Sequence, residues 1–463
     1  TMPVIFEIGN VSTLVHADTK TLASLRGALS FRARVGRAGS AILSMGEVVP
    51  GKQTVRFPTG LMRFVIDQWA KPLGVEYALS DRRQVPLADP ARSASTDWLR
   101  DYQQDAISAA RKVPRGIFSH PTGTGKGEIV VALCAIRPVP TVIIVPNEPL
   151  LQQIVERFKA RQMQVVPTIY GGGFHQISDL VVCTYQALNE AKRFPWERYQ
   201  QVIFDEVHGA ASPTCQTLMN KFVSAYYRYG LSATAMLRAD QKHYYVIGAF
   251  GPVLHKITFK EAVTALKAVA APQVVYLPYQ HEPTDASLAV WHDAYMGAIA
   301  NNQPRNAAAF SAIQSAPKPI MVFTKSLQHA RHVYETLRDR NPSGFRLALA
   351  TGETGKGENN KTLSLVRGGH VDVLVCTDVF QQGVDVPAVA SMMNLAGGKA
   401  AIPVIQKVGR AARRYADGKE IKTEFPVYDF ADIGCGCAGA AHRDCAMLIT
   451  HFLDRKSHYG KLR

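Results

Sequence analysis

No apolar run in this chain approaches the roughly 18 residues that a membrane-crossing helix requires, so no membrane partner is expected. The first residues carry no basic stretch leading into an apolar one, which argues against an export signal and for the cytoplasm. Cysteine is scarce and scattered, at 134, 183, 215 and 376, with only 435, 437 and 445 clustered. That distribution excludes a disulfide framework and suits a reducing compartment. Cys435, Cys437, His442 and Cys445 are four potential zinc ligands. A single residue between the first two is short for a structural zinc site, so reduced thiols in a Gly/Ala-rich turn are the competing reading. Acidic residues are also short: 37 Asp and Glu stand against 53 Lys and Arg, a formal net charge of +16. Such an excess attracts polyanions, nucleic acid before anionic membrane, because no basic amphipathic helix stands out.

With 47% hydrophobic and 19% charged residues, the 463-residue chain is globular and long enough for roughly three domains. Residues 1–92 read as a small α+β domain with a DNA-binding or accessory role. In it, Phe31-Arg32-Ala33-Arg34-Val35 alternates apolar and basic residues. As a strand this would place Arg32 and Arg34 on one face, either solvated or against DNA. Residues 93–262 and 263–463 each alternate apolar strand candidates with helical segments, the second ending in a basic tail of Arg455, Lys456, Lys461 and Arg463. The strand candidates are Gly116–Ser119, Thr141–Val145, Leu180–Thr184, Val202–Phe204 and Tyr229–Leu231. In the second series they are Ile320–Phe323, Phe345–Ala350, Val371–Cys376, Ser391–Asn394 and Pro426–Phe430. Near-continuous apolar strands joined by helices predict two tandem doubly wound parallel-sheet α/β domains.

The chemistry concentrates in two places. His120-Pro121-Thr122-Gly123-Thr124-Gly125-Lys126 precedes an apolar helical segment. Its glycines let backbone amides approach phosphates, the helix N-terminus adds positive potential, and Lys126 reaches the terminal phosphates. Gly127 and Glu128 complete the candidate nucleotide loop. A partial echo, Thr354-Gly355-Lys356-Gly357-Glu358, carries Glu353 where the first loop has Gly123, which would repel phosphate. Further on, Phe204-Asp205-Glu206-Val207-His208 delivers two carboxylates to the end of a predicted strand. Asp205 is the candidate magnesium ligand, and Glu206 the group that orients and deprotonates the attacking water.

In order, these elements resemble the superfamily 2 helicases and translocases across residues 99 to about 430. Leu99-Arg100-Asp101-Tyr102-Gln103 is similar to the adenine-sensing motif, and residues 120–126 to motif I. Residues 145–153, with Pro146 and Asn147, are similar to motif Ia, and Cys183-Thr184-Tyr185-Gln186 to the strand-contacting motif after it. Residues 205–208 resemble motif II and Ser232-Ala233-Thr234 motif III. In the second half, Val322-Phe323-Thr324 is similar to motif IV, and Thr351-Gly352 to the short backbone-contacting motif that follows it. Thr377-Asp378 through Gln382-Gly383-Val384-Asp385-Val386-Pro387 resembles motif V, and Gln406 to Arg413 motif VI.

The resemblance implies two RecA-like domains that bind ATP and Mg2+ between them. Gln103, residues 122–128 and Asp385 would sit on the nucleotide. Lys126, Asp205, Glu206, Arg410 and Arg413 would be catalytic, the arginines acting from the second domain on γ-phosphate charge. His208, Ser232, Thr234 and Gln406 would couple the nucleotide to the strand. Pro146, Asn147, Thr184, Thr351, Gly352 and Thr377 would grip DNA phosphates.

Two positions depart from the pattern. Gly127 stands where motif I carries a magnesium-ligating hydroxyl, leaving water to complete the coordination. Asn147 replaces a common hydroxyl residue in motif Ia. Leu-Arg-x-Tyr-Gln, Arg238-x-Asp240, Phe250-Gly251-Pro252 and Val427-Tyr428-Asp429-Phe430 resemble the XPB/UvsW branch, and the layout phage branch-migration helicases of the UvsW type. The expected protein is a monomeric ATP-dependent motor on branched DNA in recombination, replication or repair, in the host cytoplasm if phage-encoded. The alternatives are an RNA helicase, the translocating subunit of a restriction system (no nuclease motif accompanies the motor), or a DNA-binding nucleotide switch that does not hydrolyse.

Overall fold

The computed structural model describes the chain apart from residues 1–2, 36–38, 91–92, 235–240, 282–290, 342, 378–388, 400–403, 405–406, 410, 417–418, 436–441, 461 and 463. It divides into two compact units, residues 1–121 with 125–258 and residues 122–124 with 259–463. Both doubly wound sheets expected from the sequence are present. No helix among the described residues is long and apolar enough to cross a membrane.

The first unit contains two sheet systems. At the N-terminus lie β1 (Val4–Ile8), β2 (Ser12–His16), β3 (Ser30–Val35), β4 (Gly39–Ser44), β5 (Glu47–Val48), β6 (Thr54–Pro58) and β7 (Tyr77–Asp81). Five of them form a sheet in the order β5-β6-β2-β1-β7, while β3 and β4 pair separately as an antiparallel hairpin. Strict alternation in β1 buries Val4, Phe6 and Ile8 on one face, which meets Leu22 and Leu25 of the helix Thr19–Ala28 in a common core.

This module is seated on the helix His243–Phe250. Phe31 lies 4.9 Å from Tyr244 and 5.9 Å from Tyr245 between ring centroids, and Phe64 lies 5.8 Å from Tyr244. Gly60 permits the approach, because a Cβ there would collide with the backbone carbonyls of Ile247 and Gly248.

The larger sheet of the unit comprises β8 (Arg115–Ser119), β9 (Thr141–Val145), β10 (Thr168–Gly171), β11 (Phe174–His175), β12 (Leu180–Thr184), β13 (Gln201–Asp205), β14 (Tyr227–Ser232) and β15 (Val253–Lys256). Their order is β11-β10-β12-β9-β13-β14-β8-β15, parallel throughout except for the short β10–β11 pair. Helices cover both faces, so β9 and β12 are buried at every position, which is why they read as unbroken apolar runs.

The second unit holds β16 (Ala271–His281), β17 (Ile320–Phe323), β18 (Leu347–Ala350), β19 (Val373–Cys376), β20 (Ser391–Asn394), the small hairpin β21 (Tyr415–Ala416) and β22 (Lys419–Glu420), and β23 (Glu424–Cys435). The main sheet is parallel in the order β16-β23-β20-β17-β19-β18. Strand β16 was not expected from the sequence; it is a half-exposed edge strand whose polar positions break up the apolar signal.

Of the basic tail, which from the sequence is either solvated or a nonspecific phosphate contact, Lys456 is exposed and Lys461 and Arg463 lie outside the described residues, but Arg455 is neither solvated nor at the surface. Arg455 lies inside a helix, His442–Gly460, and is 1% exposed. Its guanidinium donates to Asp429 (2.9 Å), Asp432 (3.3 Å) and the Phe430 carbonyl (3.0 Å). Tyr459 Oη donates to Asp429 at 2.8 Å. Removing one member of such a buried ionic cluster strands the others. Cys437 lies outside the described residues, as do the side chains of Cys435, His442 and Cys445.

Gly60→Val should cost about 1–3 kcal/mol through overpacking against the helix His243–Phe250, read as a lowered thermal midpoint. A second expectation concerns pH. Burial pushes His120 and His329 down to about 3 and His451 to about 4, helped by neighbouring positive or imidazole groups. These histidines stay neutral in the folded chain, whereas the unfolded chain binds protons near pH 6.5. Their contribution to stability is therefore complete above about pH 6.5 and declines as the pH falls towards 4. The thermal midpoint should be lower at pH 5.5 than at pH 7.5, and His120→Gln should reduce that difference.

Candidate nucleotide and nucleic-acid site

Register brings the chemistry together. In the first unit Ser119 of β8 is level with Ser232 of β14, and Asp205 of β13 is level with Leu231. The phosphate-type loop, the two carboxylates and Ser232 therefore leave three neighbouring strands at the same carboxyl edge. In an open parallel sheet this is the edge where ligands bind.

The loop has the backbone its glycines require. Gly123 (φ +92°) and Gly125 (φ +80°) adopt left-handed conformations, and Gly125 opens the helix Lys126–Ile136 with no side chain capping its first amides. Buried Gln103 accepts from the Arg100 amide (3.0 Å) through Oε1 and donates to the Gly125 carbonyl (3.4 Å) through Nε2. It thus fixes both its own helix start and the loop. At Gly127 a Cβ would lie 2.6 Å from Arg157 Nε and 2.8 Å from Arg157 Cδ, so an arginine occupies the space where similar loops place a hydroxyl. Arg157 and Arg161 both donate to Glu128, at 2.8 and 2.9 Å.

Of the two carboxylates, Glu206 is buried and Asp205 half-buried. Glu206 has φ +53°, an uncommon conformation for a residue with a side chain, and its amide donates to Asp205 Oδ1 at 3.0 Å. Glu206 Oε1 lies 3.6 Å from Lys126 Nζ, with side-chain exposures of 8% and 9%. Its other oxygen, Oε2, accepts from Ser232 Oγ (3.1 Å) and lies 3.3 Å from His208 Nδ1, which is itself 3.1 Å from Ser232 Oγ. The Thr234 amide donates to Ser232 Oγ at 3.1 Å. Glu206, His208, Ser232 and Thr234 thus form one hydrogen-bonded node. Asp205, half-buried beside it, fits magnesium as a carboxylate ligand, since that ion keeps most of its waters and takes one or two carboxylates.

The expected strand-gripping residues occupy two rows. Val145 is level with Thr184, which sets Pro146 and Asn147 beside Thr184. Asn147 Oδ1 accepts from the Leu150 amide (3.4 Å) and Thr184 Oγ1 from the Ala187 amide (3.2 Å), so both side chains cap helices. In the second unit Ala350, Cys376 and Phe323 are level, which aligns Thr351, Thr377 and Thr324 just beyond them. Thr351 Oγ1 pairs with Thr354 Oγ1 at 2.9 Å, and Gly352 is exposed. Asn359 Nδ2 donates to the carbonyls of Thr351 (3.0 Å) and Thr354 (2.8 Å), so the echo loop is closed by its own side chains.

Of the remaining candidates, Arg32 is exposed on the hairpin β3–β4, whereas the side chain of Arg34 is outside the described set. Asp385, Gln406 and Arg410 also lie outside the described residues, with Arg238 and Asp240. Arg413 is half-buried and bridges Val269 through its backbone. Two features had no sequence signal. They are Arg157 at Gly127, and buried Lys407, whose Nζ lies 3.4 Å from Asn394 Oδ1, with Asn394 in turn donating to Asp429 at 3.2 Å. Each joins residues from distant elements.

Comparison with known proteins gives two family matches. Residues 97–236 match the type III restriction enzyme res subunit family, and residues 306–415 the helicase conserved C-terminal domain. The DNA 3'-5' translocase XPB2 of Sulfurisphaera tokodaii is 27% identical over 357 residues, 68% of this chain and 79% of the relative. The DUF1998 helicase MrfA, solved bound to DNA and AMPPNP, superposes with a TM-score of 0.54 at 13% identity, over 80% of this chain and 54% of that one. This likeness concerns the fold. The T4 UvsW crystal structure covers 100% of this chain and 98% of its own at 17% identity, with a TM-score of 0.44 that is too low to carry an argument. RNA helicases also match, DDX51 of Danio rerio at 23% identity over 348 residues, 65% of this chain and 53% of the relative, and others over shorter stretches.

Proposed function

We propose that this chain, a protein resembling superfamily 2 helicases and translocases of the XPB/UvsW-like branch, is an ATP-driven DNA motor that remodels branched DNA such as forks and four-way junctions. The observation that carries this reading is the meeting of Lys126, Glu206 and Ser232 at the carboxyl ends of adjacent parallel strands. Lys126 exchanges its carboxylate partner for the terminal phosphates of ATP. That frees Glu206, held by Ser232 and His208, to orient a water for in-line attack on the γ-phosphorus and to take its proton. Asp205 would hold a magnesium ion, which would supply charge neutralisation to the phosphates. Gln103 reads the adenine edge. Arg413 and Arg410 act on transition-state charge, by their resemblance to motif VI.

The net charge of +16 supports a nucleic-acid partner of either kind, and the likeness to a DNA translocase favours DNA. Preference for branched substrates is assigned to the N-terminal module, where Arg32 stands exposed on a hairpin of its own. ATP hydrolysis measured with duplex, single-stranded, forked and four-way DNA, and with RNA, tests the whole reading. Stimulation by RNA alone would replace the motor's substrate, and no hydrolysis with any of them would leave a nucleotide switch.

Glu206→Gln should retain nucleotide binding and lose at least about tenfold in turnover, because it keeps the size of the side chain but removes the base. Ser232→Ala withdraws a hydrogen bond from a charged group, so turnover should fall about tenfold with nucleotide affinity little changed. An affinity loss as large as the turnover loss would make Ser232 a binding residue. Arg32→Glu should weaken binding to forks and four-way junctions more than to single strands, and should flatten the salt dependence of junction binding by about one unit of slope per lost contact. Equal loss on all three substrates would remove the module from substrate choice.

A further inference from the structure

The substitution at position 127 looks, from the sequence, like the loss of a metal ligand. The structure supplies a different cause. The place of the missing side chain is filled, because a Cβ on residue 127 would lie 2.6 Å from Arg157 Nε. Arg157 reaches this point from the helix Glu148–Ala160, and one guanidinium nitrogen, Nη1, is held by Glu128 at 2.8 Å. Its Nε and Nη2 have no hydrogen-bond partner among the described residues, and the side chain keeps 31% of its exposure. A charged fork with two uncommitted donors therefore stands one residue beyond Lys126, at the first turn of a helix whose amides are uncapped.

We propose that Gly127 and Arg157 are a matched pair: the glycine opens the space beside the phosphate loop, and Arg157 is a triphosphate-binding residue whose charge takes over part of the task that the divalent ion performs elsewhere. This rests on the ATP-hydrolase reading above. A guanidinium and a phosphate form a bidentate, charge-assisted contact without any metal. A cation seated where the hydroxyl would ligate magnesium also weakens the hold on that ion from this side. Nucleotide binding by this chain should accordingly depend less on magnesium than binding by loops ending in Gly-Lys-Thr or Gly-Lys-Ser.

The test is equilibrium binding of a fluorescent non-hydrolysable ATP analogue to the full chain, in magnesium and in EDTA. The wild type should keep its affinity in EDTA to within about tenfold, whereas Arg157→Ala should lose a further ten- to hundredfold there and less in magnesium, the range expected for a hydrogen bond between charged groups. Arg157→Lys should recover part of the loss. Arg161→Ala, which touches the same Glu128 but not Gly127, should follow the wild type. Gly127→Thr should bind poorly alone and regain magnesium-dependent affinity when combined with Arg157→Ala. Circular dichroism confirms that each variant is folded.

The inference is overturned if Arg157→Ala binds like the wild type in EDTA, if it loses equally in both conditions, or if Arg161→Ala shows the same loss. A wild type that binds no nucleotide in either condition overturns the hydrolase reading itself, and this inference with it. A wild type that binds while Arg157→Ala is indifferent overturns this inference alone.

Discussion

The ion pair between Lys126 and Glu206 is the constraint around which the first unit is organised. Two opposite charges in a cleft where each side chain is about nine-tenths covered are tolerable only while each satisfies the other. The pair exists because β8 and β13 lie on either side of β14 in a parallel sheet, with their carboxyl ends level. A shift of one residue in either register would turn Glu206 away from the lysine and leave a carboxylate stranded. Any ligand that draws Lys126 away must therefore bring its own negative charge, as a triphosphate does. In the proposed hydrolase, the charge released on Glu206 would then fall to Ser232 and His208, which lie 3.1 and 3.3 Å from its Oε2.

The second unit uses charge differently. Asp429, at the core of β23, accepts from Arg455, Tyr459 and Asn394, and Asn394 in turn lies beside Lys407. A single buried carboxylate thus ties the helix His442–Gly460 to Asn394 and, through it, to Lys407. The ionic chain favours one arrangement of these elements, although Asp429 Oδ1 itself has no hydrogen-bond partner among the described residues. We expect Arg455→Met to cost about 3–5 kcal/mol, the penalty of leaving Asp429 without its cation while Asp432 keeps Arg305 at 3.6 Å and His281 at 2.8 Å.

Much of this was legible in the sequence, and the reason is burial. Strands covered on both faces are mostly apolar, so Thr141–Val145, Leu180–Thr184, Ile320–Phe323 and Ser391–Asn394 were read at the bounds they have. The motif spacings then placed the nucleotide loop, the carboxylates and Ser232 at one sheet edge. What stayed hidden depends on contacts between distant residues. Strand β16 lies at an edge and carries polar residues. Arg455 reads as a solvated tail residue until Asp429 and Asp432 are found beneath it. Gly127 reads as a defect until Arg157 is found beside it.

The N-terminal module takes this last point further. Phe31 and Phe64 of the module make ring contacts with the helix His243–Phe250, the first regular element described after Ser232-Ala233-Thr234, while Arg83 lies over Tyr226. Gly60 brings the module into backbone contact with the same helix. Closely packed interiors transmit displacements because they cannot absorb them. Deleting residues 1–92 would expose Tyr244, Tyr245 and Ile247, so the role of the module is better probed at single positions than by truncation. Phe31→Ala is the informative change, because it loosens the seat and leaves the hydrolytic residues untouched. Basal hydrolysis should persist while its stimulation by junction DNA falls; if both persist unchanged, the aromatic seat is only structural.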